Sequence, residues 1–235
     1  MENRTVTGPK GFLAAGVACG IKKSGKRDLG LIVCPTGATA AAMFTTNSIV
    51  SAAVTTSRKH IKSRQIDAVV VNSGNANACT GKRGIKNAIR MCAETAAQIE
   101  TDPHQVLVAS TGIIGSQLPM GAVIEGIRKA CSKLSASSER GVDFSKAIMT
   151  TDTVRKQAFA EFDISGRRVR IAGTTKGAGM IAPNMATTLC FITTDAAISK
   201  PLLRKAMQGS IGDSLNKLTV DCHQSTNDTA IILAS

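Results

Sequence analysis

Short runs of β-branched and aliphatic residues alternate along the sequence with segments of helical periodicity. Residues 68–72 (AVVVN) have the composition of a buried strand, and apolar residues then recur at every third or fourth position from Ile85 to Ile99. A chain that alternates these two patterns builds a sheet and covers it with helices. The sequence therefore predicts a mixed α/β fold.

Further strands and helices follow from the same patterns and from turn residues. Strands are expected at 12–21, 106–109, 158–164, 168–172, 188–193 and 230–234. Ser165 and Gly166 separate two of these strands and indicate a hairpin. Helices are expected at 120–134 and after Ser199, which can cap a helix that carries Pro201 in its first turn. The inward-facing residues of this last helix would be Leu203, Met207, Ile211 and Leu215.

The composition excludes several classes of protein. Hydrophobic residues make up 43% of the 235 residues and charged residues 19%, as in an ordinary globular chain with a sizeable core. All six aromatic residues are Phe, so the core is expected to be aliphatic, and a base-stacking surface for nucleic acid is not expected. No apolar run reaches the length of a membrane span, and the lack of a clear transit peptide favours a cytoplasmic location.

The chain is strongly basic, with a formal net charge of +13. Many of the basic residues lie in three runs, at 22–27, 58–64 and 167–170. Such runs usually form solvated surface. A second interpretation is an electrostatic field that attracts anionic metabolites or, less commonly, nucleic acid. Charge alone leaves both interpretations open.

Cysteine and histidine give no sign of a metal site. The seven cysteines are odd in number and widely spaced without a C-x-x-C pair, and most lie in apolar stretches. This pattern is typical of reduced core thiols in a reducing compartment. The three histidines, His60, His104 and His223, are too scattered to form a metal cluster. They also have no acidic partner at a recognisable spacing, so no histidine base is expected.

Polar, Gly-rich segments interrupt the apolar pattern at three places. Residues 72–82 follow a strand and precede a helix, but their glycines lack the spacing of a phosphate-binding P-loop, and a structural turn closed by Asn side chains is expected instead. In residues 110–115, the Thr111 hydroxyl and the Gly112 N–H could bind an oxyanion. A plain turn explains this second segment equally well.

The third segment, residues 173–189, places Lys176 among glycines and is followed by the small-residue pair Ala186-Thr187. A threonine hydroxyl is a weak nucleophile unless a base lies beside it. If the peptide bond before Thr187 is cut, a free α-amine with a pKa of about 7.7–8.0 is formed next to the hydroxyl. This amine can take the hydroxyl proton, directly or through a water molecule.

The sequence KGAGMIAPNMATTL (176–189) closely resembles the self-cleavage motif of the ArgJ family, the ornithine acetyltransferases or glutamate N-acetyltransferases of arginine biosynthesis. Other segments match the family in the same order along the chain, at 9–12, 14–18, 44–47, 71–78, 110–112, 150–153 and 225–229. The resemblance thus runs from end to end. It implies layered β-sheets flanked by helices.

The resemblance also implies that the chain cleaves itself. Scission between Ala186 and Thr187 would give an α chain (1–186) and the start of a β chain (187–235). The two pieces are expected to stay together in an (αβ)2 assembly. Family members are longer, so the chain is expected to be truncated within its β chain, which in the family supplies further substrate-binding residues.

The implied reaction moves an acetyl group from N2-acetylornithine to glutamate through an acetyl-threonine intermediate. Thr187 would be the nucleophile, while the Thr111 hydroxyl and the Gly112 N–H would hold the oxyanion. Thr150 and Lys176 match substrate-binding positions, and a lysine ammonium suits a substrate carboxylate. No metal or cofactor is expected, although acetyl-CoA serves as acetyl donor in the bifunctional members.

Two other functions remain as alternatives. A related family with the same fold hydrolyses peptides as an aminopeptidase or amidase, with a serine nucleophile and water as acyl acceptor. The net charge and the expected truncation also allow an inactive basic binding fragment.

Overall fold

The computed structural model describes residues 3–180 and 188–235. Within these residues the chain forms eight strands and five α-helices. The strands are β1 Leu13–Val17, β2 Leu29–Phe44, β3 Ile66–Asn75, β4 Val106–Ile113, β5 Lys156–Ile164, β6 Arg167–Lys176, β7 Leu189–Thr194 and β8 Thr229–Ala234. The helices are α1 Ala52–His60, α2 Gly81–Ile99, α3 Met120–Cys131, α4 Ser138–Ala147 and α5 Lys200–Asp213.

The strands form one folded-over sheet in the order β4-β3-β2-β8-β7-β6-β5, with β1 paired to β2 outside this path. The pairs β3–β4 and β7–β8 are parallel, and the other pairs are antiparallel. The long strand β2 belongs to both halves of the sheet. Its residues 29–33 pair with β3 and its residues 39–44 pair with β8, on either side of a register shift between Val33 and Ala38.

Three hydrophobic clusters fill the spaces between the layers. The first packs α1, α2 and α3 against the outer face of β1–β4. The second lies between the two halves of the sheet, where Val69 and Leu107 of one half meet Phe191 and Ile231 of the other. The third packs the buried face of α5 against β2, β7 and β8. The prediction of layered sheets flanked by helices is thus confirmed, and the core is mainly aliphatic as expected.

Most of the predicted elements are present, with shifted ends. The first strand is shorter than predicted, and α3 ends at Cys131, three residues early. Ser199 occupies the N-cap position of α5, but its side chain makes no capping hydrogen bond, which corrects the expected role. Leu215 lies just beyond α5, yet it packs against the same cluster as the helix.

Strands from both sides of the predicted scission site share the sheet. Strand β7, which follows residue 187, is hydrogen-bonded to β6, which precedes it, and β8 is hydrogen-bonded to β2. The predicted pieces 1–186 and 187–235 are therefore interleaved, and a cut between them would leave this hydrogen bonding in place. Within the described residues, no helix is long and apolar enough to cross a membrane.

Candidate active site

A cavity of about 770 Å³ opens where the ends of β3, β4 and β6 come together. Four residues that the sequence singled out line this cavity, namely Thr111, Gly112, Thr150 and Lys176. They come from three separate parts of the chain. The other lining residues are Ile21, Lys22, Lys23, Ser24, Gly74, Ala76, Ile113, Ile114, Thr151, Gly177, Ala178, Gly179, Met180, Ser225, Thr226 and Asn227.

The wall formed by β3 and β4 is fixed by side-chain amides. Asn72 donates to the carbonyl of Asn75 at 2.8 Å, and Asn77 donates to the carbonyl of Gly84 at 3.0 Å. This arrangement confirms the interpretation of residues 72–82 as a turn closed by Asn side chains. The turn does more than connect two elements, because Gly74 and Ala76 also face the cavity.

Gly112 lies where β3 and β4 approach each other closely. Its φ is +134°, and a Cβ atom built on it would stand 2.3 Å from the carbonyl carbon of Gly74. A residue with a side chain could take this position only if the backbone moved. The backbone at position 112 therefore requires glycine. The role of the Thr111 hydroxyl and the Gly112 N–H in binding an oxyanion stays a prediction.

Lys176 is the last residue of β6 and also lines the cavity. The residue is only 4% exposed, and burial lowers the pKa of its ammonium to about 8, although Asp228 and Asp152 act in the opposite direction. Within residues 3–180 and 188–235, no hydrogen bond to this ammonium is found. Lys176 thus carries a charge that a ligand carboxylate can pair with.

Asp152 joins the Thr150 loop to the end of β6. Its Oδ1 accepts the N–H of Gly177 at 2.8 Å and pairs with the Lys156 ammonium, while Oδ2 accepts the N–H of Thr150 at 3.3 Å. Burial raises the pKa of this carboxyl, but these hydrogen bonds outweigh it and leave the pKa below its ordinary value. Thr150 is therefore held beside Lys176 by a fully engaged carboxylate.

A second carboxyl, Asp228, was missed by the sequence reasoning. It is 1% exposed, and its Oδ1 accepts the N–H of Thr188 at 3.0 Å. Burial raises its pKa to about 7 despite the opposing effects of Lys176 and Ser225. The matching segment 225–229 pointed to this part of the chain, but nothing in the pattern indicated a buried carboxyl.

Asn227 ties its own loop to the ends of β3 and β4. Its side-chain amide donates to the carbonyls of Ala76 and Ser110, both at 2.7 Å. The loop that carries Asp228 is therefore anchored to the strand ends that carry Thr111 and Gly112.

The predicted scission site, Ala186 and Thr187, lies outside the described residues. Described residues on its N-terminal side line the cavity. Gly177, Gly179 and Met180 line the cavity, and Thr188 is buried on the far side of the gap.

The basic runs are only partly solvated surface. Lys22 donates from its ammonium to the carbonyls of Arg27 at 2.8 Å and Met149 at 2.6 Å. Burial lowers its pKa to about 8. Arg58 packs over the ring of Phe44. The expectation of a solvated side chain is therefore wrong for Lys22, whereas Arg58 and Lys23 are exposed and Lys23 also lines the cavity.

Two histidines do have acidic neighbours, contrary to expectation. The ring of His104 is 2.9 Å from Asp102, and that of His223 is 3.8 Å from Asp221, because in each case the two residues lie on one turn. Both histidines are exposed and neither lines the cavity. Of the described residues, none forms a cluster that could hold a metal ion.

All seven cysteines are free thiols, as predicted. Cys34, Cys92 and Cys190 are buried, whereas Cys79 and Cys222 are exposed. The expectation of core positions therefore fails for the exposed pair, both of which lie in turns at positive φ.

Comparison with known proteins places this arrangement in a family. The sequence profile of the ArgJ family matches residues 13–235. This chain belongs to the ArgJ family. Its relatives include the arginine biosynthesis bifunctional protein ArgJ 1 of Clostridium acetobutylicum, which is 48% identical over 236 residues. The match covers 100% of this chain and 57% of that protein, so the chain spans little more than half the length of this relative.

Solved structures of the family share the architecture. The ArgJ bifunctional protein of Bacillus halodurans is 42% identical with a TM-score of 0.75, and the match covers 79% of this chain and 96% of that chain. An ornithine acetyltransferase of Mycobacterium tuberculosis, solved with ornithine, is 34% identical with a TM-score of 0.70 and covers 80% of this chain and 98% of that chain. An aminopeptidase and amidase of Ochrobactrum anthropi, a variant of the Ntn hydrolase fold, shares the fold alone at 12% identity and a TM-score of 0.58 over 99% of this chain and 74% of that chain.

Proposed function

We propose that this chain carries the nucleophile and part of the acyl-binding cavity of a self-cleaving N-acetyltransferase of arginine biosynthesis. The observation that carries the proposal is the convergence of Thr111, Gly112, Thr150 and Lys176 on one cavity. The segment that leads to Thr187 lines the same cavity. The whole enzyme would move an acetyl group from N2-acetylornithine to glutamate.

The first reaction is the scission of the chain itself. The Thr187 hydroxyl attacks the carbonyl carbon of Ala186, the carbon–nitrogen bond breaks, and the hydroxyl proton passes to the released amine. Water then hydrolyses the ester and leaves the Ala186 carboxylate and the Thr187 hydroxyl. The interleaved strands β6 and β7 would hold the pieces together. In support, the B. halodurans structure matches 79% of this chain, a share equal in size to residues 1–186 of the 235.

In the transfer reaction, the Thr187 hydroxyl attacks the acetyl group of N2-acetylornithine while its own α-amine takes the proton. The proton then passes to the departing ornithine amine, and glutamate later accepts the acetyl group from the threonine ester. The Thr111 hydroxyl and the Gly112 N–H would stabilise the oxyanion, and loss of one such donor typically costs about 2.7–4 kcal/mol of transition-state stabilisation. Acetyl-CoA is proposed as a second donor.

The charges of the cavity fit an anionic ligand. Three lysines, Lys22, Lys23 and Lys176, line it together with Thr150 and no aspartate or glutamate among the described lining residues. Lys176 is the proposed partner of the substrate carboxylate, because its ammonium is buried and not hydrogen-bonded to the described residues. The ornithine bound to the M. tuberculosis relative supports a substrate of this class. The (αβ)2 assembly, the cytoplasmic location and the independence from metals and cofactors remain part of the proposal.

The test measures the intact mass of the purified chain and of its Thr187→Ala and Thr187→Ser variants. We expect two pieces from the wild type with the smaller beginning at Thr187, one uncut chain from Thr187→Ala, and slower scission in Thr187→Ser. An uncut wild-type chain, or a cut Thr187→Ala chain, would rule out the nucleophile.

A labelled substrate separates the proposal from its alternatives. N2-acetylornithine labelled in its acetyl group should transfer that acetyl group to the peptide that begins with Thr187. Addition of glutamate should then remove the label from this peptide. Release of free acetate at a rate independent of glutamate would indicate an amidase. No acyl-enzyme, combined with salt-sensitive DNA binding, would indicate a basic binding module.

A further inference from the structure

Lys23 is an exposed cation that lines the cavity. Its ammonium has no hydrogen bond or ion pair within residues 3–180 and 188–235, whereas the Lys22 ammonium donates to two carbonyls and Lys176 is already assigned to a substrate carboxylate. We propose that Lys23 determines the specificity for the acetyl acceptor, and that its ammonium binds the side-chain carboxylate of glutamate. This inference rests on the proposed function.

The turn that carries Lys23 is held in place by hydrogen bonds of its neighbours. The Asp28 carboxylate accepts the N–H of Cys19 at 2.8 Å and the N–H of Lys22 at 2.9 Å. The turn closes where Gly25, at a φ of +68°, donates its N–H to the carbonyl of Lys22 at 3.1 Å. The backbone of Lys23 is therefore fixed, although its side chain is exposed.

The same turn contacts two parts of the site. The Lys22 ammonium donates to the carbonyl of Met149 at 2.6 Å, and Met149 directly precedes Thr150, a proposed substrate-binding residue. A Cβ atom built on Gly74 would stand 3.0 Å from the Cγ atom of Lys22, so the turn packs closely against the end of β3. Lys23 thus follows directly on a residue that joins the Thr150 loop to this strand end.

The charge of Lys23 distinguishes the two amino acids that would use the cavity in turn. Ornithine ends its side chain in an ammonium group, whereas glutamate ends its side chain in a carboxylate. Among the described residues that line the cavity, no aspartate or glutamate offsets the three lysines. An unpaired ammonium here attracts glutamate and repels ornithine, and specificity is such a difference of affinities.

Glutamate also accounts for a cavity with more than one available cation. Its two carboxylates require two partners, and Lys23 and Lys176 are the two lining lysines whose ammonium groups make no hydrogen bond to a described residue. The phosphate groups of acetyl-CoA would also attract an exposed ammonium, so the test includes acetyl-CoA as a donor.

The test measures kcat/KM for glutamate and for its neutral analogue glutamine, with N2-acetylornithine as the donor. The wild-type chain should prefer glutamate. In Lys23→Met, the ratio of the two kcat/KM values should fall about 1.5- to 5-fold, as for the loss of an exposed ion pair. Lys23→Arg keeps the charge and should keep the ratio. Lys26→Met is the matched control, because Lys26 is exposed in the same basic run but does not line the cavity.

Two further readouts distinguish a charge effect from a general disturbance of the turn. Added salt should lower the preference of the wild-type chain for glutamate, because it screens an exposed ion pair, but should barely change that of Lys23→Met. Acetylation of the enzyme by N2-acetylornithine should not slow in Lys23→Met, because the side chain of this donor carries no carboxylate.

The outcomes separate this inference from the proposed function. A wild-type chain that forms no acetyl-enzyme overturns both. An active wild-type chain that does not prefer glutamate overturns the inference alone, and so does an unchanged ratio in Lys23→Met or an equal fall in Lys26→Met. A Lys23→Met chain that keeps the ratio but has a higher KM for acetyl-CoA would assign Lys23 to the phosphates and overturn its role in acceptor specificity.

Discussion

Lys22 and Lys176 line the same cavity, and burial lowers the pKa of each to about 8. Their hydrogen bonding differs. The Lys22 ammonium donates to two backbone carbonyls, those of Arg27 and Met149, and so joins two loops of the fold. The Lys176 ammonium is more deeply buried and has no hydrogen bond within the described residues, although Asp228 and Asp152 lie near enough to act on its charge.

This difference indicates that the Lys22 charge has a structural role, whereas the Lys176 charge is available to bind a ligand. An ammonium with two carbonyl acceptors recovers much of what it loses on leaving water. An ammonium without such acceptors is poorly solvated and gains most from an incoming carboxylate. A lowered pKa therefore does not by itself mark a functional lysine, and its hydrogen-bond partners must be considered as well.

The largest expected effect is on acetyl transfer. Lys176→Met should lower kcat/KM for N2-acetylornithine roughly 10- to 150-fold, because a hydrogen bond to a charged group contributes about 1.5–3 kcal/mol. Lys22→Met, the matched control, should change kcat/KM far less. Steady-state kinetics of both variants checks this, and equal losses would remove the distinction between the two lysines.

The opposite ranking is expected for stability. Lys22→Met leaves the carbonyls of Arg27 and Met149 without their donor, and we expect it to lower the free energy of unfolding by about 1–3 kcal/mol. Lys176→Met breaks no hydrogen bond to a described residue and should change this free energy less. Urea unfolding reports both values from the transition midpoints. A larger loss in Lys176→Met would show that Lys176 is mainly structural.

Some strands and helices could be predicted from the sequence and others could not, depending on how local their sequence pattern is. Strands with β-branched runs, such as β3 and β8, were predicted because their pattern is local. Strand β2 was missed, because Pro35, Gly37 and a run of alanines hide its 16 residues. Helices α1 and α4 were also missed, since both are short and polar, although Ser51 and Ser137 are residues of the type that caps a helix N-terminus.

The site divides in a similar way. Thr111, Gly112, Thr150 and Lys176 were found through the family resemblance, because their neighbours form local motifs. The burial of Asp228 follows only from the packing of β8 between β2 and β7, which no local pattern reveals. The need for glycine at position 112 likewise depends on its distance from Gly74 in the neighbouring strand.

The smallest expected effect is the pH dependence of stability. Asp228, with a pKa of about 7, holds its proton in the folded chain between pH 4 and 7, whereas an unfolded aspartate with a pKa of about 3.9 does not. Its contribution to the free energy of unfolding therefore falls as pH rises through this window. The two lysines, with pKa values of about 8 against about 10.4 when unfolded, carry fewer protons in the folded chain above pH 8, so their contribution rises with pH.

Each group contributes a slope of at most about 1.4 kcal/mol per pH unit. Urea unfolding at pH 5, 7, 8 and 9.5 compares the wild type with Asp228→Asn, Lys176→Met and Lys22→Met. Asp228→Asn should remove the fall below pH 7, and each lysine variant should remove its own share of the rise above pH 8. If Lys22→Met and Lys176→Met remove equal parts of the rise in the free energy of unfolding above pH 8, the carbonyls around Lys22 do not favour its charged form. If Lys22→Met removes a smaller part of this rise, the two hydrogen bonds of the Lys22 ammonium stabilise its charged form. The Lys176 ammonium has no such hydrogen bonds to the described residues.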